Sequence, residues 1–113
     1  MSDFVIIIPY YNDKSRINYT LDEILKWKTK NKLFTSVYII DDGSNKVNKI
    51  ILKKKYRNNN FFYIEKTHGG MMDTVFFGFS YVNANNYVII SSDMPVHISN
   101  INKMIPYINK YEI

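Results

Sequence analysis

Asp13, Asp41, Asp42 and Asp93 are the residues best placed to do chemistry in this sequence, because each follows an apolar run. Phe4-Val5-Ile6-Ile7-Ile8 leads through Pro9-Tyr10-Tyr11-Asn12 to Asp13. Val37-Tyr38-Ile39-Ile40 ends in Asp41-Asp42-Gly43-Ser44, and Tyr87-Val88-Ile89-Ile90 ends in Ser91-Ser92-Asp93. Runs of β-branched and aromatic residues without alternation mark strands buried on both faces, as in parallel sheets. Such sheets bind ligands in the crevice beyond the carboxyl ends of their strands. Three strand ends carrying Asp therefore predict one shared site.

Neighbouring strand residues face opposite sides, so Asp41 and Asp42 cannot both enter the crevice. One is expected to orient the loop by accepting backbone N–H groups. The other is then free for the N–H of a nucleobase or the hydroxyls of a ribose; an Asp turn beside Gly43 and Ser44, capping the next helix, is the structural alternative. Asp93 offers oxygen to Mg²⁺ or Mn²⁺, and magnesium often takes only one or two carboxylates, completing its shell with phosphates and water. A single Asp after a strand is just as often structural. Gly69-Gly70 permits close backbone approach at a helix start, where a phosphate is favoured. Lys66 and His68 flank it as candidate diphosphate contacts or as plain surface residues.

The elements that position these residues follow from periodicity. After the first strand, which Pro9 is expected to stop, Ile17, Leu21, Ile24, Leu25 and Lys28 recur at helical spacing from Arg16 to about Lys30, with Asp13 or Ser15 as the cap. A second strand covers Ser36–Ile40. A second amphipathic helix is predicted from about Lys46 to Tyr56, burying Val47, Ile50, Ile51 and Tyr56. Asn58-Asn59-Asn60 breaks it, and Phe61–Glu65 reads as a third strand. A third helix, Met71 to Asn83, is predicted to bury Met72, Val75, Phe76, Phe79 and Val82. The fourth strand is Tyr87–Ile90, and a last helix after Ser99 would use Ile101, Met104, Ile105 and Ile108, with Pro106 kinking or shortening it. The alternation of strands and helices predicts one α/β domain of Rossmann-like, three-layer build, with about four mainly parallel strands flanked by helices.

Composition narrows the classes. At 113 residues with 46% hydrophobic content, the chain holds one domain with a real core. There is no Cys, so neither disulfides nor thiolate metal sites contribute, which suits a reducing compartment and a cytoplasmic location. No apolar run approaches the ~18 residues of a membrane span, and no signal peptide is evident. The net charge of +5 comes from basic runs at Lys26–Lys32 and Lys46–Arg57. These read as solvated faces or as attraction to phosphorylated ligands or an anionic membrane surface. No nucleic-acid motif accompanies the charge, so nucleic acid is not an expected partner.

Taken together, Val5-Ile6-Ile7-Ile8-Pro9-Tyr10-Tyr11-Asn12, Ile39-Ile40-Asp41-Asp42-Gly43-Ser44, the spacing Gly70-x3-Thr74-x3-Gly78 and a strand ending near Asp93 resemble the family 2 glycosyltransferases of GT-A fold. Within them the chain is most similar to polyprenyl-phosphate enzymes of the dolichol-phosphate mannose synthase type. The resemblance covers nearly the whole chain. It implies that Pro9, Tyr11 and Asp13 lie against the base and ribose of a nucleoside-diphosphate sugar. Asp42, with Asp41 beside it and Gly43 and Ser44 in the same loop, would contact the base. Gly70 and Lys66 would lie near the diphosphate, and Ser91-Ser92-Asp93 falls on the family's Asp-x-Asp motif. Asp93 is thereby implied as the catalytic, metal-binding acid, with Mn²⁺ or Mg²⁺ as cofactor and Ser92 beside it.

The sequence departs from that pattern at Ser91, where the motif's first acid stands, and mildly at Thr74. Family members usually continue into an acceptor-binding half, and the only late carboxylate here is Glu112. The expectation is a glycosyltransferase that uses a UDP- or GDP-sugar and transfers the sugar with inversion, to an acceptor such as a phosphate-bearing lipid. The acceptor site would come from a second copy or a partner protein. The alternative is a non-catalytic nucleotide-sugar-binding module.

Overall fold

A computed structural model describes residues 4–93. Four strands, β1 (Phe4–Tyr10), β2 (Val37–Asp41), β3 (Phe61–Glu65) and β4 (Asn86–Ile89), form one parallel sheet in the order β3-β2-β1-β4. Helix α1 (Lys14–Lys30) joins β1 to β2, a short α2 (Lys54–Arg57) precedes β3, and α3 (Met71–Tyr81) joins β3 to β4. The connections run outward from β1 in one direction and then jump to its other side. That reversal opens a crevice beyond the ends of β1 and β4.

Two faces of β1 serve two layers. Ile6, Ile8 and Tyr10 pack with Ile17, Leu21, Ile24 and Trp27 of α1, together with Val37, Ile39, Phe61 and Val88, in the main core. The alternate residue Ile7, fully buried, meets α3 at Gly78. Each such isoleucine contributes roughly 1.5–3 kcal/mol by leaving water. Lys28 belongs to the buried face of α1, as its spacing predicts: its ammonium donates to the carbonyls of Thr35 and Asn59 and sits 5.1 Å from the Phe61 ring centre. Burial pushes its pKa down to about 8.

Pro9 does not stop β1, which continues to Tyr10. It stops a ladder instead. Tyr10 O accepts from Asp42 N on the β2 side, whereas Ile7 O accepts from Ile90 N on the β4 side. Pro9 therefore faces β4 and has no N–H to offer it. The β1–β4 pairing ends at Ile7–Ile89, and Ile90–Asp93 leave the sheet at the crevice.

The predicted helix from Lys46 to Tyr56 is not formed. A single 3-10 turn, Lys46–Asn48, gives way to extended backbone at Lys49 and Lys53 before α2. Tyr56 is buried as expected, and Ile50 is half-buried, but Val47 and Ile51 are exposed. A basic run has little to hold it in helical form without an apolar face to pack, and here only Ile50, Leu52 and Tyr56 of the segment reach the core.

The apolar stripe expected on α3 is also turned the other way. Thr74 and Gly78 are its buried residues, while Met72, Phe76 and Phe79 are exposed and only Val82, just past its end, is buried. A Cβ on Gly78 would stand 2.7 Å from Ile7 Cδ1, so small residues let the helix approach the sheet closely. Gly78→Val is expected to lower stability by about 1–3 kcal/mol through overpacking against Ile7, read as a lower urea midpoint with unchanged slope. The helix predicted after Ser99 lies outside the described residues. Among the described residues, no helix is long and apolar enough to cross a membrane.

Candidate functional site

The loops after β1, β2, β3 and β4 meet at the crevice. They enclose a cleft of about 270 Å³ lined by Pro9, Tyr10, Tyr11, Asp42, His68, Gly70, Met71, Thr74, Ser91 and Ser92. A larger open groove of about 720 Å³ runs along the outer edge of β3. Its lining is one edge strand and the segment before it, with Arg57 and Glu65 as its charged residues, and the strand-end loops do not converge there. The smaller cleft carries the chemistry.

The tandem acids divide their work. Asp41 is fully buried and accepts Ser44 N–H at 2.8 Å and the Tyr63 hydroxyl. It holds the turn whose Gly43 has φ +76°, a position where a Cβ would also stand 2.8 Å from His68 N. Glycine is required there by conformation and by space. Asn12, itself in the left-handed region at φ 50°, ties the first loop to this turn. Its N–H donates to Ser44 Oγ at 2.8 Å, and its Oδ1 accepts Asn45 N–H at 2.9 Å.

Asp42 is not left free by the fold. Its carboxylate accepts Lys66 Nζ at 2.6 Å and Gly69 N–H at 2.8 Å on Oδ1. Oδ2 accepts Gly70 N–H at 2.9 Å and faces His68 Nδ1 at 2.9 Å. It thus occupies the anion position at the N-terminus of α3, where Gly70 is the N-cap at φ 97°. Burial pushes the Asp42 pKa up, but the bonds from Lys66, Gly69, Gly70 and Thr74 outweigh it and bring the carboxyl down to about 2. Lys66 is likewise buried, held between Asp42 and Asp73 at 2.6 Å each.

On the opposite rim, Asp13 stands at the N-cap of α1 without capping it. Its Oδ1 takes Arg16 Nε at 2.9 Å and its Oδ2 takes Ser92 Oγ at 2.7 Å. Arg16 Nη1 reaches Asp93 Oδ2 at 3.3 Å, and Ser91 Oγ donates to Asp93 Oδ1 at 2.6 Å. Thr20 Oγ1 fixes the same loop through Ser92 O at 2.6 Å. Across the mouth, the Tyr11 and His68 rings stack with centroids 4.5 Å apart and planes at 28°.

The expected residues therefore separate into three positions. Pro9, Tyr11, Asp42, Gly70 and Ser92 line the cleft, Asp13 and Asp93 form its rim, and Asp41, Gly43, Ser44 and Lys66 support it from behind. Arg16 belongs to no sequence motif, and Asn12 stands only as the last residue of the first one. The signal for Arg16 is its i, i+3 spacing from Asp13 at a helix start.

Whether these residues suit a divalent metal depends on their donors. Among the described residues, no three Asp, Glu, His or Cys side chains come together to hold an ion. Asp93 is one carboxylate, bonded on both oxygens, with a guanidinium already on it. Asp13 is similarly taken by Arg16 and Ser92. A dication here would have Asp93 as its one protein carboxylate and phosphates and water for the rest of its shell, and only after Arg16 leaves, which makes the hold a weak one.

A parallel α/β sheet with a cleft at its reversal point defines a Rossmann-like domain, and ligands of such sheets bind in that crevice. The chain belongs to glycosyl transferase family 2, whose family model matches residues 5–113. Among solved structures, residues 1–349 of S. aureus TarS superpose with a TM-score of 0.75 at 22% identity, covering 97% of this chain and 33% of that one. The same protein in complex with UDP-GlcNAc gives 0.72 at 21% identity, covering 97% and 32%. The chain thus spans about a third of the length of these structures, and the likeness establishes the GT-A fold. No curated protein sequence matches.

Proposed function

We propose that this chain is the nucleotide-sugar-binding part of a glycosyltransferase, with a UDP-sugar as the first candidate donor and a GDP-sugar as the second. The observation that carries the reading is the convergence of four strand-end loops on one cleft, with Asp42, Ser91 and Ser92 in its lining, beside a stacked Tyr11–His68 pair. The aromatic pair offers a flat face for a base. A base stacked on this pair has the Asp42 carboxylate in the same cleft as the acceptor for its N–H, since Lys66 and the two backbone groups hold that carboxylate in place. TarS bound to UDP-GlcNAc supports the choice of a UDP-sugar.

The transfer fits an inverting displacement. The acceptor oxygen attacks the anomeric carbon opposite the diphosphate, the bond from that carbon to the diphosphate oxygen breaks, and the nucleoside diphosphate leaves with the electron pair. An acceptor that is already a phosphate anion, such as a polyprenyl phosphate, needs no general base. Asp93, at the end of the fourth loop, is the acid assigned to the reacting end of the donor. A divalent metal on Asp93 would have to displace Arg16, so no step of this reading depends on one.

The domain is expected to gain thermal stability with a UDP- or GDP-sugar, by about 2.7 kcal/mol at a hundredfold excess over Kd, and to release nucleoside diphosphate when an acceptor is supplied. A calorimetric and thermal-shift panel of nucleotide sugars with no response to any member would refute the reading. A second reading, binding without turnover, is favoured by the pairing of Asp93 with Arg16. Donor binding without release of nucleoside diphosphate, with every acceptor tried, selects it.

A further inference from the structure

We infer that Arg16 is the cation that holds the donor's diphosphate, in place of a divalent metal; the inference rests on the nucleotide-sugar reading above. A diphosphate arriving at this rim meets two carboxylates, Asp13 and Asp93, and needs positive charge to stay. Among the described residues, the other cationic features near the cleft are engaged within the fold, His68 by facing Asp42. Lys66 is buried between Asp42 and Asp73. The N–H groups of Gly69 and Gly70, the usual phosphate donors at a helix start, are filled by the Asp42 carboxylate. Lys14 donates to Val47 O.

Arg16 differs from all of these. Its side chain is 61% exposed, and it is anchored rather than free, with Nε on Asp13 and Nη1 on Asp93. The guanidinium carries five N–H donors in a planar fork, so these two contacts leave Nη2 for phosphate oxygens. The anchoring acids fix the fork where Ser92 and Asp13 close the crevice. The same acids explain the poor fit for a metal: Ser91 removes one carboxylate from the motif, and Arg16 covers the remaining one. Negative charge that grows on the departing diphosphate would then be met by a fixed guanidinium at the first turn of α1.

The test is the affinity of UDP relative to UMP, measured by calorimetry on the 113-residue chain with EDTA and again with Mn²⁺. The wild type should prefer UDP over UMP in EDTA, and Mn²⁺ should add little. Arg16→Ala should lose about ten- to a hundredfold in UDP affinity, the scale of a charged hydrogen-bonded contact, while UMP binding changes less than about threefold. Arg16→Lys should recover part of the preference, since charge is kept and the fork is lost. UMP binding also serves as the folding control for both variants. A UDP preference that appears only with Mn²⁺, or that survives in Arg16→Ala, overturns the inference and leaves the nucleotide-sugar reading standing. Failure of UDP, GDP and their sugars to bind the wild type under either condition overturns that reading itself.

Discussion

Asp42→Ala is expected to destabilise the domain by about 3–5 kcal/mol, because it strips a buried cation and two backbone donors of one shared acceptor. Lys66 keeps Asp73, whose side chain is half in solvent, but Gly69 N–H and Gly70 N–H at the head of α3 lose the carboxylate that fixes them. The loss is read as a shift of the urea midpoint at pH 7. The pH dependence gives a second reading of the same bond set. The folded pKa of about 2 lies below the ordinary 3.8, so the stabilisation is fully present above pH 4 and disappears as pH falls toward 2. The sign comes from the unfolded chain binding the proton more readily in that window. The contribution is about 2 kcal/mol, and Asp42→Ala should flatten the wild-type decline between pH 4 and 2. A variant within about 1 kcal/mol of wild type and with the same acid profile would show that the carboxylate does not organise the α3 start.

Asp41→Ala is expected to cost about 2–5 kcal/mol by a different route. Two donors lose their acceptor inside the core: Ser44 N–H and the Tyr63 hydroxyl, each worth about 1–3 kcal/mol when left unpaired. The Tyr63 phenol is held protonated well above its ordinary range, by burial first and then by its bond to Asp41. Tyr63→Phe alone should cost less, since it removes the donor together with the need for one. In a double-mutant cycle the two changes should be strongly non-additive, with a coupling of about 1–3 kcal/mol. Additive losses would mean that the hydroxyl and the carboxylate act independently.

These two acids show why the site was only partly legible in the chain. Opposite orientations for Asp41 and Asp42 come from the two-residue period of a strand, and one of them does orient the loop. That Asp42 also has internal partners depends on Lys66, His68, Gly69 and Gly70, twenty-four to twenty-eight residues away in the chain. Local pattern carries no record of such a pairing. Arg16 stays hidden for the same reason, because Asp93 lies seventy-seven residues from it.

What the sequence determined by itself is the alternation of buried strands and helices, the parallel sheet, and the delivery of four acids to its carboxyl edge. Hydrophobic runs and their periods suffice for that, since burial on two faces leaves no other place for Phe4–Ile8 or Val37–Ile40. Tertiary structure alone decided which way α3 faces, whether Lys46–Tyr56 closes into a helix, and which charges pair across the cleft. Close approach at Gly78 is a property of two packed surfaces, and an apolar stripe on one of them cannot report it. Pro9 spans both kinds of information: its missing N–H is written in the chain, but only the strand order β3-β2-β1-β4 turns that absence toward β4 and lets the crevice open.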